Sequence, residues 1–217
     1  SGIPGAVPQA VCHQQCITQQ PANPLAVFFR PRSSRANVEP CIQDYHREMV
    51  MTDDVIGAGT HQQLITLLTE QGARFRVMEH EAVGKCEAVS EIRGTDLRQG
   101  AKALVCKVKG NGVKKHVLAI LAADRQADLA SLARHIGGSK ASLASPAEVE
   151  ALTACVFGAI PPFSFHPALR LVADPLLFER FPQIAFNAGR LDRSIILDTE
   201  DYLHIARPEI ATFRRLS

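Results

Sequence analysis

The chain has 217 residues, 46% of them hydrophobic and 21% charged, with 14 Gly, 13 Pro and 6 Cys. That balance excludes global disorder and fits one domain of ordinary size plus an extension. No stretch reaches the roughly 18 apolar residues that span a bilayer, and a net charge of +2 means that any nucleic-acid surface has to come from local clustering of Lys and Arg.

Residues 1–56 read as an N-terminal extension, loosely structured. They are rich in proline and glutamine and show no sustained hydrophobic period, so they lack the apolar surface for a core of their own. Cys12 and Cys16, followed by Cys41 and His46, have spacings that zinc tolerates. No hairpin or helix that would support such a fold is evident, and no metal is expected. The first thirty residues lack a basic segment followed by an apolar one, so no secretory signal is read. A cytoplasmic setting with reduced cysteines is expected. Met49 and Met51 stand just before the regular pattern and offer a natural start, with residues 1–48 as an appendage.

Residues 57–217 read as one domain of mixed hairpins and helices, an α/β or α+β fold. Thr60 is the expected cap of a helix over His61–Gln71, with an apolar stripe of Leu64, Ile65, Leu67 and Leu68 and a stop at Gly72. A strand follows from Phe75, then a helix over Glu87–Arg93 that stops at Gly94. Lys102–Val108 is a strand, Gly110 to Gly112 a turn, and Val113–Ala122 the hairpin partner. Leu129, Leu132, Ala133 and Ile136 mark a helix closed by Gly137 and Gly138. Ser145 followed by Pro146 is a strong helix start. After a stiff loop over 157–163 come strands at Arg170–Ala173, Ile184–Phe186 and Ser194–Leu197. They alternate with helices at Pro175–Phe181 and Thr199–Ala206.

The common enzyme motifs are absent: there is no G-x-S-x-G, no H-E-x-x-H, no phosphate-binding loop and no G-x-G-x-x-G. Three other features carry chemistry. Between Leu97 and Ala123 there are six basic residues, among them Lys107, Lys109, Lys114 and Lys115, and no acid. Such a run is either a solvated hairpin edge or a ridge that contacts RNA phosphates. Within the first hairpin strand, Lys102 shares its face with Leu104, Cys106 and Val108. An ammonium on an inward face needs a polar partner or a cavity, unless it snorkels out from the strand end. In the loop, Gly158 permits close backbone approach, and Pro161 and Pro162 fix the shape. The amides of Gly158, Ala159 and Ile160 are candidate donors to an oxygen that gains negative charge in ester cleavage. The same loop also reads as a plain structural connection.

These features stand in an order that resembles the YbaK-like, prolyl-tRNA-synthetase-associated editing domain family. The resemblance is carried by Gly100 to Val105, Gly158 to Pro162, Phe186 to Arg190 and Ser194 to Tyr202. The stretch from His80 to Gly94 and on to Phe163 to His166 is similar to a free-standing enterobacterial member. The resemblance implies a barrel-like mixed sheet flanked by helices. It also implies a cofactor-free hydrolase that deacylates mischarged aminoacyl-tRNA and serves translation fidelity. Lys102 stands where the family has its catalytic lysine, and Gly158 to Pro162 stand where it has its substrate loop. Asn187 stands at the polar position before the Ala/Gly-Gly turn, although the chain has Asn-Ala-Gly where some relatives have Ser-Gly-Gly. The implied partner is the acceptor end of mischarged tRNA, with small amino acids such as Ser, Thr or Ala; membrane and DNA are not. Whether the protein works alone or docked on an aminoacyl-tRNA synthetase stays open. Two alternatives remain: a non-catalytic tRNA-binding module, and a thiol-dependent hydrolase pairing Cys106 or Cys155 with His80 or His166.

Overall fold

A computed structural model of the protein describes residues 56–216. The expectations for the extension, including the Cys12, Cys16, Cys41 and His46 cluster, lie outside the described residues. The described residues all belong to one compact unit.

The elements in chain order are α1 (Ala58–Glu70), β1 (Phe75–Glu79), α2 (Cys86–Arg93), β2 (Ala101–Gly110), β3 (Val113–Ala122), α3 (Leu129–Ile136) and β4 (Lys140–Leu143). They continue with α4 (Pro146–Thr153), β5 (Leu169–Ala173), α5 (Leu176–Glu179), β6 (Gln183–Asn187), β7 (Arg193–Asp198), α6 (Thr199–Ala206) and β8 (Glu209–Ile210). Local sequence explains most of these bounds. The α3 helix starts at Asp128, whose carboxylate accepts from the Ala130 and Ser131 amides, and ends at Gly137 in the left-handed region. The start of α4 is a reciprocal cap between Ser145 and Glu148, with Pro146 in the first turn. Two expectations shift. Helix α1 begins at Ala58 because Gly57, at φ 88°, takes the cap position and accepts the His61 amide at 2.8 Å. Thr60 is therefore inside the helix, where its hydroxyl donates to the Thr153 carbonyl at 3.0 Å and ties α1 to α4. Helix α5 spans only Leu176–Glu179, because Pro182 bars the residue before it from helical geometry.

The strands form two sheets. One has the order β4-β2-β3-β5-β8, with β2 antiparallel to β3 and β4, and β5 parallel to β3 and β8. The other is the antiparallel set β1-β7-β6. They meet where Gly100, just before β2, bridges Ala185 of β6. The barrel-like sheet expected from the resemblance thus takes the form of two sheets joined at one bridge, with no closed barrel among the described residues.

Alternation along β2 sorts its side chains into two cores. Ala101 and Val105 enter the larger one, with Leu118, Ile120, Ile184, Phe186, Ile195, Leu197 and Tyr202. Cys106 and Val108 enter a smaller one on the opposite face, closed by Leu132, Ala133 and Ile136 of α3 and by Phe213. Because both faces are covered, the strands read as apolar runs as well as alternating patterns. Only Cys106–Lys109 pair with β4. The opening half of β2 has β3 on one side and a free edge on the other. That free edge makes room for a cavity.

Candidate active site

A cavity of about 220 Å³ opens between the free edge of β2, the strand β6, helix α2 and the loop after α4. Lys102, Gly158, Ile160 and Asn187, which are distant in sequence, all line it. A cavity of this volume has room for a small acyl group.

Lys102 is half-buried. Its Nζ donates to the carbonyl oxygens of Arg125 and, at 3.4 Å, Ala123. Both carbonyls follow the end of β3, and Lys102 sits opposite Leu121 in the hairpin register. The strand-phase anomaly is thus resolved by a polar anchor at the cavity wall. The ammonium has three protons, so two carbonyl acceptors leave one for a ligand.

The loop is held from several sides. Pro161, Pro162 and Phe163 are buried. The Tyr202 hydroxyl donates to the Pro162 carbonyl at 2.8 Å, and the Phe163 ring meets Tyr202 edge-on at 5.2 Å. Gly158 lies at φ 84°, and a Cβ there would stand 2.9 Å from the Gly84 carbonyl oxygen. Both the backbone angle and the space demand glycine. Of the three candidate amides, that of Ala159 is spent on the Val156 carbonyl at 3.1 Å. The Gly158 and Ile160 amides have no hydrogen-bond acceptor among the described residues.

Asn187 ends β6 and ties the site together. Its side-chain amide donates to the Val83 carbonyl at 3.0 Å and to the Gly158 carbonyl at 2.8 Å. Its Oδ1 accepts from Nη2 of Arg93 at 2.6 Å. Arg93, only 7% exposed, also donates through Nε to Ser194 Oγ at 2.8 Å. Ser194 faces Asn187 across the β6–β7 register, and His80 Nε2 lies 2.6 Å from its hydroxyl. His80 in turn sets Nδ1 against the Glu81 carbonyl at 2.7 Å. Burial lowers the Arg93 pKa to about 10, so the group stays charged at neutral pH. Cys86 also lines the cavity; burial pushes its thiol up, against the pull of the Lys102 charge. No Asp or Glu lines the cavity.

Sequence reading missed Arg93, Ser90 and Cys86. The signal was present: Cys86, Val89, Ser90 and Arg93 follow the i, i+3, i+4, i+7 spacing of one helix face, and Val89 marks that face as inward. An arginine in that phase is a buried charge.

The basic run separates into parts. Lys107 forms an ion pair with Glu148 at 2.9 Å, and His116 lies 3.5 Å from the same carboxylate. The Lys107 contact and the Ser145 cap hold the Glu148 carboxyl at about 2, well below its usual range. Lys109, Lys114 and Lys115 are exposed. Lys109 stands directly opposite Lys114 on β3 and Lys140 on β4, which puts three like charges in one cross-strand row. The cysteines of the thiol-hydrolase alternative lie elsewhere. Cys106 and Cys155 are fully buried; burial pushes the first up to about 12, and the second donates to the Thr153 carbonyl. No hydrogen bond joins either to His80 or His166 among the described residues. Among the described residues there is also no cluster of His, Cys, Asp and Glu fit to hold a metal, and no helix is long and apolar enough to cross a membrane.

Comparison with known proteins bears on this geometry. Residues 80–205 match the model of the aminoacyl-tRNA editing domain family. The multifunctional Ser/Thr-tRNA deacylase ProXp-y of Escherichia coli strain K12 is 75% identical over 165 residues, which are 76% of this chain and 99% of that protein. Its counterpart in Escherichia coli O157:H7 matches equally. Among solved structures, a protein assigned provisionally as a trans-editing enzyme for prolyl tRNA synthetase has a TM-score of 0.62 at 20% identity, covering 73% of this chain and 99% of its own. The hypothetical protein APE2540 has a TM-score of 0.63 at 18% identity, covering 70% and 99%. These two share the fold.

Proposed function

This chain belongs to the aminoacyl-tRNA editing domain family, and we propose that it is a trans-editing hydrolase that deacylates mischarged aminoacyl-tRNA bearing small amino acids, serine and threonine foremost. The observation that carries this reading is the 75% identity, over nearly the whole relative, to a Ser/Thr-tRNA deacylase. The cavity supports it: the wall is largely apolar, the volume is small, and the lining holds cations without acids.

The chemistry asked of the site is modest. An aminoacyl ester is already activated, so the enzyme has to place water, stabilise the developing oxyanion and hold the terminal ribose. Water attacks the carbonyl carbon, the bond to the ribose oxygen breaks, and that oxygen leaves with a proton. The products are a free amino acid and a tRNA with its terminal hydroxyl restored. Lys102 supplies positive charge to the acyl carbonyl or the terminal phosphate, its position fixed by the two carbonyls it also serves. The Gly158 and Ile160 amides complete the polar cradle, while Pro161 and Pro162 hold it from behind. Asn187 holds the Gly158 carbonyl, and with it the loop, through its side-chain amide. No protein nucleophile is needed, in keeping with thiols that burial holds protonated.

Selectivity follows from size. One methyl or hydroxyl is worth about 1–3 kcal/mol in an apolar pocket, so Ser, Thr and Ala overlap as substrates. The exposed lysines Lys109, Lys114 and Lys115 meet the tRNA backbone and supply salt-sensitive affinity without sequence selection. Lys107, tied to Glu148, contributes less. The tRNA acceptor end is the partner; docking on a synthetase is a further step that this site does not require. The test is a deacylation panel with tRNAs charged with Ser, Thr, Ala, Cys and Pro. Release of Ser and Thr is expected, and release of no amino acid overturns the reading.

A further inference from the structure

The least explained group in the cavity is Arg93. A guanidinium carries five N–H bonds. Here Nε serves Ser194 and one Nη2 proton serves Asn187; Nη1 has no acceptor among the described residues, and no carboxylate pairs with the charge there. Holding such a cation 93% out of water is costly unless something anionic completes it. A purely structural arginine at this place would be matched by an acid, as Arg214 is matched by the buried Asp174 at 2.7 Å.

The position of Arg93 says what completes it. Its Nη2 binds the Oδ1 of Asn187, whose amide grips the Gly158 carbonyl. Arg93 thus belongs to the same hydrogen-bonded unit as the loop whose Gly158 and Ile160 amides are unspent, and all three residues line the cavity. Ser194 fixes the other edge of the guanidinium from the middle strand of its sheet. The fork is therefore held before any ligand arrives, as a group that acts on a transient charge must be.

Resting on the deacylase reading, we infer that Arg93 is a catalytic residue whose Nη1 donates to the ester carbonyl oxygen as it becomes an oxyanion. As water adds to the carbonyl carbon, the carbonyl electron pair moves to that oxygen, and the guanidinium meets the new charge without giving up a proton. When the bond to ribose breaks, the pair returns and the charge leaves Arg93. The interaction strengthens only in the transition state, so its removal should lower kcat and spare KM.

The experiment measures steady-state deacylation of Ser-tRNA by the full chain and its Arg93→Gln and Arg93→Lys variants, with thermal unfolding followed alongside. A wild type that releases no serine defeats the functional reading itself. With an active wild type, Arg93→Gln is expected to lose about 100–1,000-fold in kcat with KM unchanged, and Arg93→Lys to lose less. A wild-type kcat for Arg93→Gln, or a loss confined to KM, overturns the assignment. If Arg93→Gln is unfolded at the assay temperature, Arg93→Lys is decisive: it keeps the charge but not the planar fork. Reduced kcat at unchanged KM supports the assignment there, and a wild-type kcat or a rise in KM alone contradicts it.

Discussion

At its first residues β2 carries Lys102, half-buried against a cavity and anchored by two carbonyls; at its far end it carries Lys109, exposed and directly opposite Lys114 and Lys140. The residues are chemically the same, and the strand is continuous. What differs is the edge. The far end is paired on both sides, and alternation sets Lys109 on a face open to solvent. The near end has no strand on one side, and the gap is roofed by α2 and the 157–163 loop. Chemistry collects where a sheet leaves backbone and side chains unpaired, and a plain electrostatic surface forms where the sheet is complete. In the proposed account the near end handles the ester and the far end handles the tRNA backbone, so variants at the two ends should fail in different kinetic constants.

Beyond Lys102 and Arg93, a large effect that would sharpen this contrast is expected in the loop at the near end. Gly158→Ala forces a left-handed alanine, costing about 1–2 kcal/mol, and sets a Cβ 2.9 Å from the Gly84 carbonyl oxygen. Moving the loop by a fraction of an ångström to relieve this is expected to reduce deacylation on the order of 100-fold, read as kcat/KM on Ser-tRNA. Next is Asn187→Ala, which strips an acceptor from buried Arg93 and a donor from the Val83 and Gly158 carbonyls. A fall of about tenfold in kcat/KM together with a lower melting temperature is expected, and wild-type kinetics would detach Asn187 from the site. At the far end, the double variant Lys109→Ala, Lys114→Ala should keep kcat and raise KM for tRNA. The log–log salt slope of binding should shrink by about 1.4, the value for two single-strand phosphate contacts. A loss of kcat there would break the division between the ends.

Smaller effects test the parts assigned to structure. Lys107→Ala should raise KM for tRNA less than the double variant does, since its charge already serves Glu148. The folded state holds the Glu148 carboxyl at about 2 against a usual 4.5. Its ion pair therefore favours folding above the ordinary carboxylate range and is lost as the pH falls from about 4.5 through 2. Acid unfolding of Lys107→Ala should depend less on pH across that window, measured by circular dichroism. Cys106→Ala and Cys155→Ala should retain full activity per folded molecule, because neither thiol reaches the cavity.

Much of this organisation was legible in the residues. Helix caps such as Ser145–Pro146, the 110–112 turn and the alternation of β2 are local signals, and local physics decides them. The phase of Lys102 pointed to a cation in need of a partner, and the structure supplies the Ala123 and Arg125 carbonyls. What escaped was non-local. Strand β4 has four residues and borrows its order from β2. The cap at Gly57 depends on a glycine at φ 88°, and the Lys107–Glu148 pair joins a strand to a helix cap. Arg93 stood in plain phase with Val89 but went unread, because an arginine on a helix is usually solvated. The spent amide of Ala159 was invisible for a simpler reason: no sequence pattern tells which loop N–H is already used.

The most direct test of the account is single-turnover deacylation of Ser-tRNA by saturating Lys102→Ala protein. The account predicts a rate close to that of spontaneous ester hydrolysis in a variant that is still folded at the assay temperature and still binds tRNA. Turnover near the parent rate in a folded variant would contradict it.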